Sequence, residues 1–274
     1  MINILNEKYI MNNNLEIPKV GLGTYKLTNE LEGVELIKAA ITAGYRLIDT
    51  AKVYENHKII ARAIKECDVK RKDLFITSKI WNKDHKYEDA KLAIDTILNE
   101  LELDYIDLIL VHWPTKYRNE CYKALEEAVE EGKVKSIGVS NYQKHHIEEL
   151  ISICKIKPVI NQIELHPALR NQEVVNTCKK HNILVESWGT MIRGKCFEIE
   201  QIKKLALKYN KSEPQICLRW AYQNGYVIIP KTSKPSRVVE NTMIYDFQLN
   251  DEDIDLINSI NEFRDGPDPD NFNF

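Results

Sequence analysis

Short apolar, β-branched runs alternate along this chain with longer segments whose apolar positions recur at helical spacing. Arg46-Leu47-Ile48-Asp49, Leu74-Phe75-Ile76-Thr77-Ser78-Lys79 and Leu108-Ile109-Leu110-Val111-His112 are examples of the first kind. They lack polar alternation, and a continuous apolar run is the mark of a strand covered on both faces. Strand ends are expected near Gly23, Asp49, Lys79, His112, Ser140, Glu164, Ser187 and Pro230. Between them lie apolar residues at helical spacing: Leu36, Ile37, Ala40 and Ile41, then Leu92, Ile94, Ile97, Leu98 and Leu101. Leu125, Ala128 and Val129 belong to a helix that Gly132 should terminate, and Ser212 before Glu213-Pro214 reads as an N-cap.

A βα unit about every 30 residues, repeated eight times, predicts the α/β class and a (β/α)8 TIM barrel. The last interval, from Ser187 to Pro230, is the longest and should hold an extra helix or loop, and further helices are expected at the C-terminal end. Two short apolar stretches, residues 8–11 and 15–17, flank Asn12-Asn13-Asn14 and predict a hairpin placed to plug the barrel bottom. The tail, Asp265-Gly266-Pro267-Asp268-Pro269, reads as irregular. No linker or shift of composition divides the chain, so residues 1–274 are expected to form one domain. An open doubly wound sheet is the competing architecture. It would want Gly-x-Gly-x-x-Gly after the first strand, and Gly21-Leu22-Gly23-Thr24-Tyr25-Lys26 lacks the third glycine.

Composition narrows the function classes. With a formal net charge of −3 and 29% charged residues, nothing attracts nucleic acid or an anionic membrane. No apolar run approaches the ~20 residues that span a bilayer. The start, Met1-Ile2-Asn3-Ile4-Leu5-Asn6-Glu7, lacks the basic and apolar regions of a signal peptide. An intracellular, cytoplasmic protein is expected, and a monomer, since no segment is dedicated to association. The six cysteines form no Cys-x-x-Cys pair and read as reduced thiols. His145-His146 invites a metal reading, but neighbours on a helix point about 100° apart. A surface or cap role is expected there, and no metal site.

The C-terminal strand ends of a barrel converge on one mouth, where active sites sit. Collecting polar residues there yields Asp49, with Tyr54 just beyond it, then Lys79, His112, Ser140, Asn141, Asn161, Gln162, Glu164, Ser187 and Trp188. Each is a weak signal alone; four titratable groups of complementary type are harder to dismiss. A phenol titrates near ~10, too high to release a proton readily. A neighbouring Lys79 would lower that value, and Asp49 would hold Lys79 in place. His112 could donate to a carbonyl oxygen. Together they would supply a proton beside an oxygen turning negative.

Longer stretches carry a resemblance. Gly44-Tyr45-Arg46-Leu47-Ile48-Asp49-Thr50-Ala51, residues 104–114, Gly138-Val139-Ser140-Asn141-Tyr142, residues 161–167 and Ile229-Pro230-Lys231-Thr232-Ser233 resemble the motifs of the aldo-keto reductase superfamily, compact microbial members above all. The resemblance covers nearly the whole chain, in order. It implies an NADPH-dependent enzyme that moves a hydride between the nicotinamide and a carbonyl or alcohol. It also implies a catalytic tetrad of Asp49, Tyr54, Lys79 and His112, with Tyr54 as general acid in reduction. Ser140, Asn141 and Gln162 are implied to meet the nicotinamide amide, and Trp188 to stack on its ring. Lys231, Thr232 and Arg237 are implied to clamp the 2′-phosphate of NADP, and Glu240 with Asn241 to meet the adenine. Tyr25, Trp81, His112 and Trp113 would line an aromatic pocket for a small carbonyl substrate, open because the tail is short.

The chain departs from the family pattern at His57, where an acid is usual, near Ala61, where a glycine is usual, and at Gly189-Thr190-Met191, where a Ser-Pro-Leu loop would touch the pyrophosphate. Two other functions stay open: a lyase using Lys79 as a Schiff-base nucleophile, and a non-catalytic nicotinamide-nucleotide-binding subunit.

Overall fold

The computed structural model describes residues 4–272 and 274, so Met1, Ile2 and Asn3 of the N-terminal reading lie outside the described residues. Eight parallel strands follow an antiparallel hairpin of β1 (Lys8–Ile10) and β2 (Glu16–Pro18). They are β3 (Gly21–Gly23), β4 (Leu47–Asp49), β5 (Phe75–Ile80), β6 (Leu108–Val111), β7 (Ile137–Ser140), β8 (Ile160–Glu164), β9 (Leu184–Trp188) and β10 (Val227–Ile228). Each pairs with its neighbour in sequence, in the order β3 to β10. Bridges Val20↔Ile228 and Gly23↔Lys231 join the last strand to the first and close the barrel. The strand ends lie within two residues of those expected. The eighth strand stops early because Pro230 has no N–H for the ladder; its carbonyl still accepts from Gly23 N–H at 3.2 Å.

Helices alternate with the strands: α1 (Glu30–Ala43), α2 (His57–Glu66), α3 (Tyr87–Leu101), α4 (Arg118–Glu130), α5 (Lys144–Ile153), α6 (Gln172–Lys180), α7 (Glu200–Tyr209), α8 (Glu213–Gln223), α9 (Pro235–Glu240) and α10 (Asp251–Asn258). The long interval before β10 holds two of them, α7 and α8. Ser212 is the N-cap residue of α8, and Gln215 Oε1 accepts its N–H at 2.9 Å. Gly132, at φ +75°, turns the chain out of α4. Among the described residues no helix is long and apolar enough to cross a membrane.

Period-two alternation divides the core in two. Ile48, Ile76, Ile109 and Ile163 face outward to the helices. Leu47, Phe75, Leu108, Leu110, Ile160 and Val227 face inward and meet Met11 and Ile17 of the hairpin. The hairpin therefore plugs the bottom. Asn12 Nδ2 donates to Pro158 O at 2.9 Å and Asn182 O at 3.1 Å, and Asn13 Nδ2 to Ser136 Oγ at 2.9 Å. The same alternation, carried to the other ends of the strands, aims Asp49, Lys79, Gln162 and Glu186 into the barrel mouth.

Candidate active site

Asp49 ends β4 and Lys79 lies one strand over on β5, on the same inward face. Lys79 is fully buried and gives its hydrogen bonds to Asp49 Oδ1, Asp49 Oδ2 and Thr50 O, each at 2.8 Å. Burial, the largest single influence, opposes the ammonium, but Asp49, Tyr54 and Glu186 together outweigh it, so the Lys79 pKa is raised. A permanently charged amine is a poor nucleophile, which counts against Schiff-base chemistry.

Tyr54 is delivered by a single 3₁₀ turn, Lys52–Tyr54. The turn is held from below: Thr50 Oγ1 donates to Asn56 Oδ1 at 2.6 Å, and Asn56 Nδ2 donates to Thr24 O at 2.9 Å. The sequence reading gave these buried residues no role; their polar types beside the tetrad were the available signal. The Tyr54 ring lies 5.1 Å from Lys79 Nζ and meets the His112 ring edge-on, with centroids 6.0 Å apart. The four tetrad residues are thus gathered in one place. Contrary to the expectation of a lowered phenol, burial raises the Tyr54 pKa, and Lys79 offsets this only in part. Tyr54 is therefore protonated at neutral pH, the form a proton donor needs. His112 is held well below the usual imidazole range, by burial first and Lys79 second, so it is a neutral ring able to donate but not to protonate.

The residues implied for the nicotinamide end form one network beside the tetrad. Ser140 Oγ donates to Gln162 O at 2.8 Å. Asn141, at φ +64°, donates from Nδ2 to His112 O at 3.0 Å, and its Oδ1 accepts from Trp188 Nε1 at 2.9 Å. Gln162 Nε2 donates to Asp49 Oδ2 at 2.8 Å and Glu186 Oε2 at 2.9 Å. Glu186 was not singled out from the sequence. Trp188 is backed by the tail: a Cβ on Gly266 would lie 2.4 Å from its Cη2, so only glycine fits there. Glu164 Oε1 and Oε2 accept the Asp265 and Gly266 N–H groups at 2.7 and 3.0 Å, and His166 Nε2 lies 3.1 Å from Glu164 Oε1. His166 thus has the structural role expected of it.

The residues implied for the adenosine end lie after β10. The bridge Gly23↔Lys231 and the pair Gly23↔Asp49 put Lys231 in the same row as Asp49. Thr232 Oγ1 accepts from Lys234 N–H at 3.0 Å, and Arg237, Glu240 and Asn241 ride on α9 or its end. Tyr45 Oη pins α9 by donating to Val238 O at 2.9 Å. Among the described residues Lys231, Lys234 and Arg237 form no ion pair, so three cations remain for an anion; this fits a nucleotide phosphate.

At the substrate side, Trp81 packs edge-on against His112 with centroids 5.0 Å apart, and Tyr25 tilts against Tyr54 at 5.1 Å. Trp113 is linked to Trp81 through Phe274, and the sequence reading missed two aromatic residues here. Phe274 stacks on Trp81 at 5.7 Å, and Phe272 tilts on Trp113 at 5.1 Å. A short tail therefore does not leave the mouth uncovered. Nothing local to the tail foretells this, since its path depends on the Glu164 anchor.

The three departures each have local partners or packing in the fold. His57 replaces an acid but is paired, Nδ1 with Glu100 Oε2 at 2.7 Å and Nε2 with Ser78 Oγ at 3.0 Å. Ala61 is buried in α2. Thr190 turns back to Ser187, hydroxyl to hydroxyl at 2.6 Å. The His145 and His146 rings do not diverge as expected: their centroids are 3.9 Å apart and both Nε2 atoms approach Asp270 Oδ1, at 3.2 and 3.7 Å. The tail brings Asp270 to them. His146 Nδ1 accepts the Gln143 N–H at 3.2 Å, a cap that leaves its proton on Nε2 and makes that atom a donor rather than a ligand.

A family model described as Aldo/keto reductase family matches residues 19–262, and the chain belongs to that family. It is an oxidoreductase. The chain is 45% identical over 266 residues to glyoxal reductase of Bacillus subtilis (strain 168), covering 96% of each. The crystal structure of an aldo-keto reductase from a Medee basin deep-sea metagenome library matches with a TM-score of 0.93 at 39% identity, over 97% of this chain and 100% of that one. The Bombyx mori aldo-keto reductase in complex with NADP matches with a TM-score of 0.88 at 32% identity, over 96% of both chains.

Proposed function

We propose that this chain, acting as one catalytic unit, reduces small aldehydes, ketones and dicarbonyls to alcohols with NADPH. The observation that carries the reading is the buried Lys79–Asp49 pair seated beside a protonated Tyr54 and a neutral His112. NADPH supplies the hydride. His112 donates a hydrogen bond to the carbonyl oxygen and fixes its orientation. As negative charge gathers on that oxygen, the Tyr54 hydroxyl transfers its proton to it, and the Lys79 charge steadies the phenolate left behind. Asp49 keeps Lys79 in place, and solvent returns the proton to Tyr54. In alcohol oxidation the same phenol is the base.

Ser140, Asn141 and Gln162 hold the nicotinamide amide, and Trp188 carries the ring. Lys231, Thr232 and Arg237 take the 2′-phosphate, with Glu240 and Asn241 at the adenine. Tyr25, Trp81, Trp113, Phe272 and Phe274 shape a compact aromatic pocket, suited to a small substrate. The likeness to a relative named glyoxal reductase supports a dicarbonyl. The protein works as a cytoplasmic monomer in this reading, and light scattering checks the mass.

The test follows NADPH and NADH oxidation over a panel of glyoxals, aldehydes and ketones. Turnover should require NADPH and favour the small dicarbonyls. Tyr54→Phe should lower turnover about 100-fold or more while NADPH still binds. Turnover that survives this change would remove Tyr54 as the acid.

A further inference from the structure

Glu186 lies on β9, two residues before Trp188 and opposite Gln162 in the strand register. It is fully buried inside the barrel. Its Oε2 accepts from Gln162 Nε2 at 2.9 Å, while its Oε1 is buried with no partner. Lys79 gives its hydrogen bonds to Asp49 and Thr50 and none to Glu186. On its other side, β10 sets Val227 opposite Glu186 and brings no charge. The groups that face it are therefore Asp49, Lys79 and the Gln162 amide. Two ionised carboxylates there would share one ammonium and one amide, and a second bare negative charge in a dry interior is costly. Asp49 holds the ammonium, so Glu186 carries the proton.

We propose that Glu186 is a positioning residue of this reductase, a buried uncharged acid that fixes the Gln162 amide and keeps the charge of the Asp49–Lys79 pair balanced. The inference rests on the reductase reading given above. With its N–H groups held by Asp49 and Glu186, Gln162 has its oxygen free to accept from the amide of a bound nicotinamide. The balance also sets a pH limit. Burial, with Asp49 next, pushes the Glu186 carboxyl up to about 8. The folded chain thus holds a proton that the unfolded chain has released above its ordinary value near ~4.3. Stability from this group is full below that ordinary value and is lost as pH rises through the folded one.

Two measurements test this on the intact protein. In fluorescence titrations with NADPH, Glu186→Ala should weaken binding about tenfold, whereas the isosteric Glu186→Gln should bind within about twofold of wild type. In thermal unfolding without nucleotide, wild type should lose Tm relative to Glu186→Gln between pH 6 and pH 8.5, by several degrees. Parallel Tm profiles would overturn the buried proton. NADPH affinity unmoved in Glu186→Ala, or equally weakened in both variants, would overturn the positioning role. Failure of wild type to bind NADPH would instead sink the reductase reading, and the Tm comparison, which needs no nucleotide, still judges Glu186.

Discussion

At the barrel floor, Leu47, Phe75, Leu108, Leu110 and Val227 close on Met11 and Ile17 of the hairpin. At the mouth, a few residues further along the same strands, the inward positions hold Asp49, Lys79, His112, Gln162 and Glu186. Both regions are buried and both come from the same pleat. The floor gains from removing apolar surface from water, at about 25 cal/mol per Å². These polar groups at the mouth gain nothing of that kind; each polar atom must be satisfied and each charge balanced or stability is lost. The contrast teaches that the floor holds the strands at fixed separation and so lets the mouth keep its polar groups in reach of one another. Even there two polar atoms, His112 Nδ1 and Glu186 Oε1, stay buried without a partner.

Three substitutions probe this division, in order of expected effect. Lys79→Met strands the Asp49 carboxylate and should cost about 3–5 kcal/mol of stability along with activity. Chemical denaturation measures it, and a loss under about 1 kcal/mol would mean the pair is not held as drawn. Leu110→Ala in the floor should cost about 2–5 kcal/mol yet leave NADPH affinity near wild type at low temperature. If affinity falls with it, floor and mouth are not separable. Arg237→Ala should leave Tm nearly unmoved and weaken NADPH about tenfold, worth about 1.4 kcal/mol, with NADH little affected. Equal losses for the two nucleotides would take Arg237 away from the 2′-phosphate.

The chain's own pattern determined a good deal. The apolar runs at βα intervals specify eight covered strands, because burying such runs on both faces leaves few arrangements. Strand ends then follow, and with them the places of Asp49, Lys79, His112, Gln162 and Trp188. The hairpin and the α8 start were legible through Asn12-Asn13-Asn14 and Ser212, since turn and cap chemistry is local.

Tertiary structure decided what depends on neighbours far apart in sequence. The direction of the Tyr54 pKa came from desolvation, which no spacing reveals. Phe272 and Phe274 reach the pocket because distant groups hold the tail: Glu164 and Lys195 at residues 265–266, the two histidines at Asp270, and Asn82 at the Phe274 carbonyl. Glu186 is an ordinary strand residue in sequence and becomes a buried acid only where β8 and β9 set it against Gln162. Local rules fix where a side chain points along its own strand; the energy of a charge depends on every group that surrounds it, and only the folded chain assembles those.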